Sequence, residues 1–148
     1  MMVVDEAAKR KVQSEDQNAF MWAALLHDIG KAPTTEFKKG RITSYDHDKV
    51  GKELSIKFLN EFNCSDDFII KVSTIVRWHM HILFIVKELP FADINSMLKE
   101  ISAKEIALFS LCDRLGRGNI TSEKIKEIHD NMEYFTRKCE KYMVAGVR

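Results

Sequence analysis

Residues 19–26 place eight apolar side chains in a row, and the run then stops on His27-Asp28, an imidazole beside a carboxylate. A helix that is apolar nearly all round belongs at the centre of a core rather than on a surface. The chain therefore aims its most deeply buried segment at two polar groups. It does so again later: within residues 106–112 only Ser110 is polar, and Asp113 follows directly. A buried carboxylate without a partner is costly, so it must find a cation or protonate. Asp28 and Asp113 also fall next to Gly30 and Gly116, at expected helix C-termini, where the helix dipole is negative and favours a cation. Two buried carboxylates at two negative helix ends imply positive charge between them. A divalent metal meets that condition, and so does an Arg or Lys side chain.

The rest of the chain patterns as helices separated by short polar breaks. Ser14 with Gln17 forms a capping box that opens a helix to about His27, Gly30 supplies its stop, and Pro33 discourages continuation. Residues 31–45 form the longest loop, polar and basic. Asp46 caps a helix with Val50, Leu54, Phe58 and Phe62 at four-residue spacing, and Ser65 caps the next, with Phe68, Val72, Ile75 and Val76 on one face. Residues 77–90 are ambiguous and end at Pro90; Asp93 then starts a short helix, and Ser102 with Glu105 makes a second capping box. A last helix, about 121–145, carries Ile125, Ile128, Met132, Phe135, Cys139 and Tyr142 as a narrow seam. That seam suits packing on its own domain or a homodimer. No strand is predicted, and the expected fold is all-α, a single domain over residues 1–148.

Composition narrows the function classes. A net charge of +1 over 148 residues argues against a wide nucleic-acid surface but leaves small anionic ligands open. No apolar run approaches the ~20 residues of a membrane span, so no membrane partner is expected. Cys64, Cys112 and Cys139 are odd in number and lack metal-type spacing, which suits free thiols in a reducing, cytoplasmic setting.

A His-Asp pair alone is weak, since His129-Asp130 is another, set in an ordinary charged helix. Context separates the two. "LLHDIGKA" is followed by a polar loop, by His47-x-x-x-Gly51, by "STIVRWH" ending at His79, and by "LCDRLGRG" carrying Asp113. In this order over residues 1–118, the chain resembles the HD-domain metal-dependent phosphohydrolases, most of all the HD domain at the C-terminal end of bacterial tRNA nucleotidyltransferases. The resemblance implies an all-helical domain that binds divalent metal and hydrolyses phosphate esters. It departs from the pattern in one place, because no His precedes His27.

The resemblance assigns His27, Asp28 and Asp113 to the metal. Lys31 and His47 would offset charge building on the phosphoryl oxygens, with general acid or second-metal ligand as the other roles open to His47, and His79 would protonate the leaving oxygen. Lys31 would contact a substrate phosphate, and Arg114 and Arg117, which flank Asp113, either steer an anionic substrate or serve as surface charge. An oxygen-weighted set favours Mg²⁺ or Mn²⁺, with Ni²⁺, Zn²⁺ or Fe²⁺ compatible. His81 is expected to be structural, because positions two apart on a helix do not share a face. The expected activity is phosphohydrolysis of a small nucleotide or an RNA-end phosphoester. The rival expectation is a non-catalytic nucleotide- or partner-binding HD module, or a detached HD fragment of a tRNA nucleotidyltransferase.

Overall fold

The computed structural model describes residues 2–146, which form a helical fold with one small sheet. Helix α1 (Met2–Arg10) runs into a 3₁₀ turn (Lys11–Gln13) and then α2 (Gln17–Leu26). A short α3 (Lys31–Thr34) leads into strands β1 (Thr35–Lys38) and β2 (Arg41–Ser44). Five of the remaining helices complete the core: α4 (His47–Glu61), α5 (Asp66–Trp78), α6 (His81–Val86), α7 (Ile94–Glu100) and α8 (Ala103–Leu115). The long α9 (Ser122–Gly146) closes the chain. The class is all-α, as the patterning implies.

The core sits where α2, α5 and α8 meet. Phe20, Ala23 and Ala24 from α2, Val72 and Val76 from α5, and Ile106, Phe109 and Cys112 from α8 are fully buried. Phe20 and Phe109 meet edge to face at 5.5 Å, a geometry the ring quadrupoles prefer. Helix α4 lies along α5, α1 lies along α8, and α9 covers α8 and α6. The seam of α9 is used within the chain: Ile128, Phe135 and Cys139 are buried, while Ile125 and Tyr142 near its ends stay exposed. Burying a Phe135-sized side chain contributes ~1.5–3 kcal/mol, so truncating it would loosen α9 first. The thiols of Cys112 and Cys139 are free, and burial pushes both up to about 11. One stretch, Asp66–Val86, is long and apolar enough by composition to cross a membrane. It is broken between α5 and α6, and 61% of its window is buried within the fold, which marks it as core.

Several local expectations change. The loop at 31–45 contains an antiparallel hairpin, with Phe37 opposite Ile42 and Lys38 opposite Arg41. Its two-residue turn places Lys39 at φ 49° and Gly40 at φ 74°. Turns with both φ values positive match strand twist, but Asn or Asp normally announces them, and Lys does not. Asp16, not Ser14, caps α2, accepting from the Ala19 N–H at 3.1 Å. Ser14 is drawn away because its hydroxyl donates to Glu105 Oε2 at 2.6 Å. The same use of Glu105, which also accepts from the Glu15 N–H, leaves the second capping box with only its Ser102 half. Asp46 precedes α4 in a left-handed conformation and makes no cap bond. Ser65 and Asp93 do cap their helices. Gly30 is not a left-handed stop, since its φ is −74°. Pro33 lies inside the single turn of α3, where its missing N–H costs nothing. Helix α2 is also less enclosed than its apolar run implies, because Trp22 and Leu25 are 40% and 48% exposed.

Candidate metal centre

Helix ends deliver every polar group of the centre. His27 is the C-cap of α2 and Asp28 follows it; Lys31 opens α3, His47 opens α4, His79 is the C-cap of α5, and Asp113 lies in the last turn of α8. The three rings are oriented in the same way. Each Nδ1 meets a backbone carbonyl three residues back: His27 on Ala24 O at 2.8 Å, His47 on Ser44 O at 3.0 Å, and His79 on Val76 O at 2.6 Å. A carbonyl only accepts, so each Nδ1 carries hydrogen, and each neutral ring turns its Nε2 lone pair the other way.

Those lone pairs converge on carboxylates. His27 Nε2 lies 3.2 Å from Asp28 Oδ2 and 3.4 Å from Asp113 Oδ1. His47 Nε2 and His79 Nε2 each lie 3.6 Å from Asp28 Oδ1, and 3.2 Å from one another. Two neutral rings with hydrogen on Nδ1 cannot hydrogen-bond through their Nε2 atoms. The cluster is a set of acceptors facing acceptors, and it requires positive charge inside it. Lys31 Nζ reaches Asp28 Oδ2 at 3.0 Å and Arg117 reaches Asp113 Oδ1 at 3.8 Å, but both cations are substantially exposed and sit at the rim.

Protons supply the charge when nothing else does. Burial works against a charged His27, yet Asp113 and Asp28 outweigh it and raise its pKa to about 10. Burial would raise Asp28 too, but His27, His79 and Lys31 hold its carboxyl far below the usual range. Asp113 is likewise buried, and His27 holds it low. His47 is pushed down, first by burial. A metal ion satisfies the same lone pairs without protons. One donor atom each from Asp28, His47 and His79 fall within 4.8 Å of one another, and the other Asp28 oxygen faces His27 and Asp113.

His27, Asp28 and Asp113 are thus brought together. Asp28, expected to be buried, keeps 39% of its side chain exposed and marks the open side of the centre. His79, expected to act on substrate, and His47, expected to act on substrate or to hold a second metal, point at the same carboxylate oxygen as potential metal donors. Arg114 makes no ion pair among the described residues and is not drawn to the cluster. His81 is buried outside it, its Nε2 accepting from the Asp93 N–H at 2.7 Å, and His129 and Asp130 are exposed on α9.

Comparison with known proteins places these groups in a family. A segment of 61 residues, 40% of the chain, is 34% identical to the A-adding tRNA nucleotidyltransferase of Deinococcus radiodurans, and it spans 14% of that protein. Residues 2–118, which carry every polar group of the centre, match the HD domain. The chain belongs to the HD domain family, a metal-dependent phosphohydrolase superfamily whose members bind divalent metals.

Proposed function

We propose that this protein hydrolyses a phosphoester on a small nucleotide or an RNA end, using a divalent metal. The convergence of three Nε2 lone pairs on Asp28 and Asp113 carries the reading, because among the described residues no buried Lys or Arg neutralises it. Asp28, His47 and His79 would hold one ion, with His27 and Asp113 beside the second Asp28 oxygen. When bound, such an ion polarises a phosphoryl oxygen and makes water a stronger nucleophile at neutral pH. Lys31, at the rim, would offset charge on the phosphoryl oxygens.

Two roles expected from the sequence shift with this geometry. His79 is buried with its Nε2 directed at Asp28, so it fits a metal holder better than an acid for the leaving oxygen. Three imidazoles also make the set richer in nitrogen than His27, Asp28 and Asp113 alone. That moves the preferred ion from Mg²⁺ towards Mn²⁺, Fe²⁺, Ni²⁺ or Zn²⁺.

Metal analysis of the purified protein, followed by a phosphoester panel with Mg²⁺, Mn²⁺ and Ni²⁺, tests the reading. Bound metal with turnover is expected. Bound metal without turnover on any ester would favour the non-catalytic binding module. Neither metal nor turnover would favour the structural fragment.

A further inference from the structure

The β1–β2 hairpin carries side chains that the metal centre does not use. Phe37 and Ile42 face each other across the strands, and each is 76% exposed; Tyr45, just past β2, is 69% exposed. An aromatic–aliphatic cross-strand pair usually stabilises a hairpin by mutual cover. Here three quarters of each side chain stays in water.

The same segment concentrates charge. Residues 31–45 hold Lys31, Lys38, Lys39 and Arg41 against one acid, Glu36, in a chain whose net charge is only +1. Lys38 takes that acid at 2.8 Å, and Lys39 and Arg41 pair with no acid among the described residues.

Both roots of the hairpin are tied to the metal centre. Thr35 Oγ1 donates to Lys31 O at 2.6 Å and meets Ser44 Oγ at 2.8 Å, while Ser44 O accepts from His47 Nδ1 at 3.0 Å. The arm therefore starts at Lys31 on one side and at His47 on the other. With a rise of ~3.3 Å per strand residue, its tip stands roughly 13 Å from its root. That is a length suited to a polymer rather than a mononucleotide.

We propose that the hairpin is a docking arm for a single-stranded nucleic-acid segment whose terminal phosphoester lies at the metal centre. A base stacks on Phe37 beside Ile42, while Lys39 at the tip and Arg41, one step along on the hairpin's other face, meet the phosphates as the strand crosses the tip. A basic track with an aromatic platform is the combination that binds single strands without reading their sequence. A few clustered cations also agree with the near-neutral total charge, since they make a local track and not a wide basic face. The identity of the strand's end rests on the phosphohydrolase reading; the binding by the arm does not.

The test uses the full chain and a short, fluorescein-labelled, 3′-phosphorylated oligoadenylate, in ribose and deoxyribose forms. Anisotropy reads binding, and p-nitrophenyl phosphate hydrolysis reads the metal centre separately. Phe37→Ala is expected to weaken oligonucleotide binding roughly 5- to 150-fold, with Phe37→Trp restoring it. Lys39→Ala with Arg41→Ala should reduce the slope of log affinity against log salt by about 1.4, at ~0.7 per phosphate contact. Neither change should alter hydrolysis of the small ester. A ribose preference assigns RNA, and equal affinities assign a strand irrespective of its sugar. Oligonucleotide affinity unmoved by both variants overturns the proposal. So does variant-sensitive binding to phosphatidylserine vesicles without oligonucleotide binding. Variant-sensitive oligonucleotide binding without hydrolysis of any ester keeps the arm and defeats the phosphohydrolase reading.

Discussion

Gly30 and His47 are packed backbone against backbone: a Cβ on Gly30 would lie 2.1 Å from the His47 carbonyl oxygen and 2.6 Å from Gly51 N. Gly51 itself leaves only 3.0 Å for a Cβ before Val76 Cγ1. The two glycines let the turn after Asp28 press onto the first turn of α4, and that contact sets the 3.6 Å between Asp28 Oδ1 and His47 Nε2. Backbone atoms cannot rotate out of the way. Gly30→Ala is therefore expected to cost ~1–3 kcal/mol of stability, as overpacking does. It should also weaken metal binding about 10-fold or more by moving His47. Thermal melting and metal titration check both, and unchanged metal affinity would separate the glycine contact from the donor geometry.

Asp113→Ala should weaken metal binding while leaving the helical circular dichroism intact. Asp113 is 3% exposed, and its cationic neighbours are His27 at 3.4 Å and the half-exposed Arg117 at 3.8 Å. Its loss strands no permanently charged buried group, so the destabilisation should stay below the ~3–5 kcal/mol of a broken buried ion pair. His27 loses one of the two carboxylates that raise its pKa, which should fall from about 10. A steep drop in melting temperature with unchanged metal content would sink the ligand role.

His79 and His81 should respond in opposite ways. His79 aims at Asp28, so His79→Ala is expected to reduce metal content. His81 instead accepts the Asp93 N–H at 2.7 Å and packs on Trp78 at 4.8 Å. His81→Leu should cost ~1–3 kcal/mol through the unpaired Asp93 N–H, with metal content as before. The reverse pattern would mean that the wrong ring has been placed in the centre.

The parts of the site legible in the sequence were those that local rules govern. An apolar run ending on His27-Asp28, and Asp113 within another, signal polar groups at the ends of core helices through periodicity and the helix dipole alone, and burial holds for His27 and Asp113 but not for Asp28. His47 and His79 were legible only through the order of motifs in the resemblance. Their shared direction follows from Nδ1 bonds to the carbonyls of Ser44 and Val76, which periodicity does not encode. The hairpin carries no local signal, because Lys39 takes a positive φ without the Asn or Asp that announces such turns. Ser14 departs from the capping pattern because its hydroxyl bonds Glu105, 91 residues away. Local capping rules cannot see a bond across that distance.

Adding metal should cancel the alkaline loss of stability. In the metal-free protein the folded pKa of His27 is raised to about 10 from 6.5. Its stabilisation is thus fully present below pH 6.5 and is lost as the pH rises towards about 10. Asp28 and Asp113 are depressed from 3.8, so their contribution is present above that value and is lost as the pH falls below it. The metal-free protein should be most stable between about pH 4 and 6.5 and should weaken on the alkaline side. Metal must displace the His27 proton, so apparent affinity should climb by up to about tenfold per pH unit over the same alkaline range. Melting temperatures with EDTA and with Mn²⁺, taken from pH ~6.5 to ~8.5, should therefore diverge as the pH rises. A metal-induced increment that stays flat across that range would show that no proton leaves His27 on binding, and with it His27 would drop out of the ligand set.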